Sequence, residues 1–410
     1  MKIRKRNMVV SLDIGTSTVK AAMAEVSYNR ELHVLGLAEV PSYGLRKGNI
    51  IDIESTAKSI DDCLNELERI TGIEVQKAVL GFSGTSISTI DNHAVVSVGN
   101  TNYEITQEDR ERVIQSARNI ALPSDKAIIQ TIEKQYIVDG YDGVKDPVGM
   151  VGNRLEVEVI AVIAAIAAIQ NLQRSTEKVN LPIEQFVFNP LLAGESTLLP
   201  TEKEMGVVLI DIGGGTTEIS FFENGSLVNS SVLPIGGEYI TKDLALVLKT
   251  SIDEAARIKE KNGTAKRDFC REDVVITIRN IQGREVKQVS QYMIADIINA
   301  RVVEIIEMIH NELSQFNCLD RIPGGLVLTG GEARLVGMAE TFEETINIPT
   351  RIGSPENLRG IQAELNQPQN SVVIGGLMYA SDQPGVFQES NPKISGFYYK
   401  VNDWFKELFR

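Results

Sequence analysis

A chain of 410 residues has room for two or more domains with sizeable cores, and 43% hydrophobic with 23% charged residues is the make-up of an ordinary globular protein. The formal net charge of −14 argues against a dedicated nucleic-acid binder, because no broad basic surface is available to displace counterions from phosphates. Cys63, Cys270 and Cys318 are widely separated and the three histidines are scattered, which offers neither a disulfide framework nor a zinc spacing and fits a reducing cytoplasm.

The basic N-terminus MKIRKR passes into an apolar run too short for a signal-peptide core. That run, residues 8–12, reads as a strand broken by Asp13-Ile14-Gly15-Thr16-Ser17-Thr18 and resumed toward Lys20. A strand over 31–40, a helix over 55–71 with Ile60, Leu64 and Leu67 at helical spacing, and a strand over 77–82 follow. Residues 85–159 read as strand, helix and strands: 95–98, 105–119 with Thr106 as N-cap, 127–138 and 155–160. Between the last two, 138–150 is dense in turn formers and reads as a loop. The most apolar internal run, 157–169, carries Glu158 and falls short of the roughly 20 residues that a membrane span needs.

A helix over 170–179 leads to 183–199, where a helix opens at Asn189-Pro190. The next stretch, 207–222, reads VVLIDIGGGTTEISFF: two apolar strands joined by a turn at Gly213-Gly214-Gly215. Three glycines remove every Cβ, so backbone N–H groups can approach an anion. Thr216 and Thr217 add hydroxyls and Asp211 a carboxylate able to hold a hydrated cation, a combination suited to a Mg-bound phosphate chain. The alternative is a glycine-rich hairpin without a ligand. The N-terminal hairpin repeats the device about 200 residues away, which implies a duplicated core with a ligand between the halves. Helices are then expected over 241–248, 253–261 and 294–316, with a short hairpin at 274–278 and 285–289 around Gln282-Gly283. A buried strand at 325–329 runs into Gly330-Gly331 and then a helix, where backbone can approach a flat or sugar-like group.

This set of motifs resembles the ATP-binding site of the actin, Hsp70 and sugar-kinase superfamily. Asp13, Gly15, Thr16, Ser17, Thr18 and Lys20 look like its phosphate-1 motif, residues 209–220 like phosphate-2, 328–331 like its adenosine motif, and 189–198 and 371–380 like its two connecting helices. The insert at 85–159, with Tyr136-Ile137-Val138-Asp139-Gly140 and Lys145-Asp146-Pro147-Val148-Gly149-Met150, resembles subdomain 1C of the bacterial FtsA cell-division family. The likeness covers essentially the whole chain.

It implies an α/β fold: an actin-like, duplicated ribonuclease-H-like core with two smaller inserted subdomains and a C-terminal amphipathic helix. Residues 1–84 and 160–200 would form subdomain 1A, 85–159 subdomain 1C, 201–235 and 318–380 subdomain 2A, and 236–317 subdomain 2B. It also implies ATP and Mg2+ as ligands. Asp13 and Asp211 would hold the metal through water, and Gly237, Glu238 and Lys259 would join Gly330 and Gly331 around the nucleoside; the alternative for Lys259 is a solvated helix face. Asn189 stands where relatives orient the attacking water. An amide positions water but takes no proton, so hydrolysis is at most slow; the alternative is that Asn189 only caps its helix. Glu218 stands where relatives carry Asp, and Glu332 puts negative charge beside the proposed nucleotide, which bears on affinity rather than fold. By the same resemblance, Arg301 and Glu304 in subdomain 2B would receive the C-terminal peptide of FtsZ, or else be ordinary surface charges. Subdomain 1C would meet later division proteins.

Residues 381–396 have the Pro, Gly, Ser and Gln content of a flexible linker. Beyond it Phe397, Tyr398, Val401, Trp404, Phe405, Leu408 and Phe409 share one helical face, with Lys400, Lys406 and Arg410 on the other. Fourteen residues make a helix of about 21 Å, too short to cross a bilayer but suited to lie in an anionic lipid surface. A packing or partner helix is the alternative. One such helix binds weakly, so actin-like filaments of the chain would supply the avidity. The resulting expectation is a peripheral protein on the cytoplasmic face of the membrane at the division septum, tethering the FtsZ ring; an ATP-dependent kinase of the sugar-kinase branch is the alternative.

Overall fold

The computed structural model describes residues 7–382, apart from 28, 30, 100, 272, 273, 282–284, 357, 358 and 361–364. The Gln282-Gly283 turn, most of the expected linker and all of the membrane-facing residues named above lie outside the described residues.

Two five-stranded sheets carry the architecture. In the first the strands are ordered Leu32–Pro41, Thr18–Val26, Met8–Ile14, Ala78–Phe82, Ile183–Phe188; in the second they are ordered Ser226–Leu233, Thr217–Glu223, Val207–Ile212, Leu326–Thr329, Thr350–Ile352. The two orders correspond strand for strand. Each opens with three antiparallel strands and ends with two parallel ones. The duplicated α/β core is therefore present, and each glycine turn joins the central strand of its sheet to the next.

Parallel neighbours need a crossover, which is where the helices sit. Helix Ile53–Thr71 provides the first: the Asp52 carboxylate accepts from the Glu54 and Ser55 N–H groups, and Gly72 ends the helix at φ 68°. Ile60, Cys63, Leu64 and Leu67 recur on its buried face.

Two other connections carry the added mass. Between Ala78–Phe82 and Ile183–Phe188 the chain builds an antiparallel sheet of its own, ordered Ile87–Ser97, Arg154–Ala165, Lys126–Val138, Tyr141–Val144, with helix Gln107–Ala117 over one face. Thr106 does cap that helix: its Oγ1 accepts from the Asp109 N–H, and the Asp109 carboxylate accepts from the Thr106 N–H. The loop expected at 138–150 proves to contain a strand. Asp139 and Gly140 take φ of 49° and 89°, the two positive angles of a type I′ turn, and fold Tyr141–Val144 back on its neighbour. Between Ser226–Leu233 and Leu326–Thr329 the chain places helices Gly237–Leu248, Ile252–Asn262 and Gln291–Phe316, with the hairpin Val275–Arg279 and Glu285–Ser290.

The halves meet along helices Asn189–Thr197 and Ser371–Asp382. A Cβ on Gly375 would lie 1.7 Å from the Leu192 carbonyl oxygen, so the two backbones touch there with no room for a side chain. One residue on, a Cβ on Gly376 would lie 1.9 Å from Ser11 Oγ, so the crossing packs on the first central strand two residues ahead of Asp13.

Candidate functional site: a cleft between two glycine hairpins

The two turns are built alike and face each other. The Gly15 N–H donates to the Thr18 carbonyl and the Gly213 N–H to the Thr216 carbonyl, each at 3.0 Å. A Cβ on Gly214 would lie 1.9 Å from Ser17 Oγ, and one on Gly215 would lie 2.7 Å from Thr16 Oγ1. The triple glycine is thus what lets the second turn approach the hydroxyl residues of the first. Thr217 is an exception to the expected donor set: it is fully buried and its hydroxyl donates to the Ile235 carbonyl at 2.9 Å.

Cross-strand register puts Asp13 opposite Lys20 and Asp211 opposite Glu218. Asp13, Asp211, Glu218 and Lys20 consequently share one poorly solvated space, three carboxyls to one ammonium, and Glu39 adds a fourth carboxylate at its edge, 3.8 Å from Lys20. Burial, only partly offset by Lys20, pushes the Asp13 carboxyl up to about 6. Burial and the neighbouring Asp13 push Asp211 up to about 7. Glu218, 8% exposed and with Oε2 lacking a partner, is driven well above its usual range by burial and by Asp211. Lys20, 4% exposed, is pulled down by burial. Its ammonium donates to the Gln369 carbonyl at 2.5 Å and lies 3.4 Å from Asn370 Oδ1, so it braces the cleft floor against the second connecting helix.

The excess of negative charge and the unpartnered Glu218 oxygen fit a site completed by a cation. Among the described residues no three His, Cys, Asp or Glu side chains are arranged to hold a metal directly. A hydrated ion suits this donor set better than a protein cage does.

Asn189 is the first residue of its helix. The cap position belongs to Phe188 and no side-chain cap bond is made, so capping does not explain the asparagine. Its Oδ1 is buried without a partner against the Gly81 backbone. That acceptor is available to a water or ligand.

The adenosine-like segment differs from expectation. Strand Leu326–Thr329 does end at the glycine pair, but Gly331–Arg334 is a single 3-10 turn and the next α-helix begins only at Met338. Val336 is held in extended form by a bridge to Thr264, which postpones the helix. Gly330, at φ 87°, brings its backbone against Asp211: a Cβ there would lie 2.2 Å from Oδ1. Its N–H donates to the Pro368 carbonyl, which also accepts from Thr329 Oγ1.

Helix Gly237–Leu248 starts four residues earlier than the pattern predicts. The Gly237 and Glu238 N–H groups donate to the Gly213 and Gly214 carbonyls at 3.0 and 2.9 Å, so the helix is seeded on the glycine turn. Lys259 is no solvated charge: its ammonium meets Glu332 Oε1 at 2.5 Å and the Gly237 carbonyl at 3.2 Å, both side chains being largely buried. The negative charge of Glu332 is thereby matched. Glu238 instead points to Lys242 at 3.1 Å near the surface. The stretch 333–340 borders an open pocket of about 450 Å³ whose walls are mixed, with Leu335, Met338 and Ile352 alongside Arg334, Ser354 and Gln367. Arg334 went unnoticed in the sequence; it is exposed and close enough to depress Lys20 further. No motif spacing flags a lone arginine two residues after a glycine turn's acid.

On the inserted helices, Arg301 is held by Asp243 through Nε at 2.5 Å and NH2 at 3.1 Å, with Glu304 on NH1. The pair expected to meet a peptide therefore belongs to a local ion network, with Glu304 its exposed end.

A family model described as "Cell division protein FtsA" matches residues 208–375, and one described as "SHS2 domain inserted in FTSA" matches 84–163. The chain is 38% identical over 378 residues to Cell division protein FtsA of Bacillus subtilis, covering 92% of this chain and 84% of that one. The FtsA of Pseudomonas aeruginosa is 34% identical over 92% of this chain and 90% of its own. Among solved structures the PilM-PilN type IV pilus biogenesis complex superposes with a TM-score of 0.65 at 19% identity, covering 92% of this chain and 99% of that one. MreB5 of Spiroplasma citri bound to ADP gives 0.53 at 15% identity, covering 91% and 95%.

Proposed function

This chain belongs to the FtsA family of cell division proteins and has their actin-like fold, and from that premise we propose that it binds Mg-ATP between its two glycine hairpins, assembles into filaments and tethers the FtsZ ring to the membrane. The observation that carries the nucleotide reading is the cleft itself: two amide-lined turns in contact, with three carboxyls against one lysine. MreB5 of Spiroplasma citri has been solved with ADP, which supports the same use of the cleft here.

In this reading Gly15, Thr16, Ser17, Gly213, Gly214, Gly215 and Thr216 line the phosphates with N–H and hydroxyl groups. Asp13 and Asp211 hold the water shell of Mg2+, which when bound neutralises phosphate charge. Lys20 keeps the carboxyls in place from beneath. The Lys259–Glu332 pair and Gly237 bound the nucleoside side, and the mixed polar and apolar pocket lined by Arg334 accepts the base. Asn189 Oδ1 accepts a hydrogen from a water near the terminal phosphate but removes no proton, so turnover is slow and nucleotide serves assembly. The segment 397–410 lies in anionic lipid, Arg301 and Glu304 receive the FtsZ tail, and 85–159 meets later division proteins. Residues 1–84 with 160–200, and 201–235 with 318–380, form the two core subdomains; 236–317 forms the smaller one.

Sedimentation of the full chain tests the reading. With Mg-ATP and anionic vesicles the chain pellets together with lipid, and omission of either lowers the pelleted fraction; sedimentation indifferent to ATP would overturn it.

A further inference from the structure

The short hairpin Leu45–Arg46 and Asn49–Ile50 has no role in the site described so far. Its turn, Lys47-Gly48, has φ of 52° and 72°, the two positive angles of a type I′ turn, and so is a rigid tip. Two contacts fix it to its surroundings. The Gly48 N–H donates to Thr16 Oγ1 at 3.1 Å and Asn49 Nδ2 donates to Thr85 Oγ1 at 2.8 Å, while the Ile51 and Asp52 N–H groups close the segment on its own Gly44 carbonyl.

The tip also reaches the second half. A Cβ on Gly48 would lie 2.9 Å from the Gly84 Cα and 3.3 Å from Thr216 Cγ2, so this glycine nests against a residue of the second phosphate turn. Lys47 Nζ lies 5.7 Å from the centroid of the Tyr239 ring. Two further cations share that ring, Lys242 at 5.2 Å and Arg301 at 5.9 Å; Lys242 is paired with Glu238, and Arg301 is locked by its two bonds to Asp243.

We propose that residues 44–50 form a clasp across the mouth of the cleft: Lys47 seated on Tyr239 holds the two halves closed, and with Gly48 on Thr16 it slows escape of whatever lies between the hairpins. The contact is a cation over an aromatic face, within the ~6 Å over which the attraction acts. It spans the two halves, so it exists only when they are together and shifts the population toward the closed form. The identity of the ligand rests on the Mg-ATP reading above; the clasp itself does not.

Two readouts on the full chain separate these. Amide hydrogen exchange of residues 44–52 without nucleotide is expected to quicken about two- to five-fold in Tyr239→Leu and in Lys47→Ala, the factor that an exposed cation–aromatic contact supplies. Tyr239→Phe keeps the ring and restores wild-type exchange. Release of a fluorescent ATP analogue is expected to quicken by the same factor in both variants, and the double variant to be no faster than either single one. Exchange unaltered by Tyr239→Leu, or release rates that multiply in the double variant, overturn the clasp. A wild-type chain that takes up no analogue overturns the nucleotide reading, and the exchange arm then decides the clasp alone.

Discussion

Asp211→Asn should stabilise the ligand-free protein while removing its response to Mg-ATP. Burial raises the Asp211 carboxyl from 3.8 to about 7, so the native state binds a proton more tightly than the unfolded chain does. Stability then falls as pH rises above about 4, where the unfolded state gives up that proton first, and levels off past about 7, where the native state has lost it too. The full cost at pH 8 is about 4 kcal/mol, taking roughly 1.4 kcal/mol for each pH unit between the two values. Asp211 is only half-buried by exposed area and shares its protons with Asp13 and Glu218, so about 2 kcal/mol is the order of magnitude for this one carboxyl. At pH 5 only about a third of it has accrued. Asparagine keeps the shape and never ionises, so urea unfolding at pH 8 should show a gain of about 2 kcal/mol that shrinks to less than 1 at pH 5. Mg-ATP at a hundredfold excess over Kd should then stabilise the wild type by about 2.7 kcal/mol and the variant far less. A variant less stable than wild type at pH 8, or one with an unchanged pH slope, would refute the claim that this carboxylate waits uncompensated in the cleft.

Gly214→Val should abolish nucleotide binding by calorimetry and leave the far-ultraviolet spectrum intact, since its side chain meets Ser17 rather than the sheet core. Gly375→Leu drives a side chain into the Leu192 backbone, so the connecting helices must part; a loss of more than about 3 kcal/mol in urea unfolding is expected. Arg301→Glu sets a third carboxylate beside Asp243 and Glu304 and should cost about 1–3 kcal/mol besides weakening capture of an FtsZ tail peptide. Glu304→Lys, at the exposed end of the network, should change peptide affinity with stability held within about 0.5 kcal/mol.

Local chemistry was enough to locate what the chain repeats. Strand, Asp-Ile-Gly, hydroxyls and returning strand are a pattern of adjacent residues, because a two-residue side-chain period and the lack of a Cβ act over a few positions. The duplicated sheets and the Thr106 cap were therefore readable from the sequence, whereas the two connecting helices, expected at 189–198 and 371–380, came from the family resemblance and their close crossing from the structure. The Asp139-Gly140 turn carried an equally local hairpin signal, which the surrounding turn formers obscured.

What depends on residues distant in the chain was decided only by folding. Glu332 looked like a charge opposed to a nucleotide until it met Lys259, 73 positions away, and Arg301 looked like an open clamp until Asp243 took its guanidinium. Lys20 was counted with the phosphate-1 motif until its ammonium proved to be bound by the Gln369 carbonyl and close to Asn370. Charge balance in a poorly solvated space is set by which groups arrive there together, and sequence spacing carries no term for that.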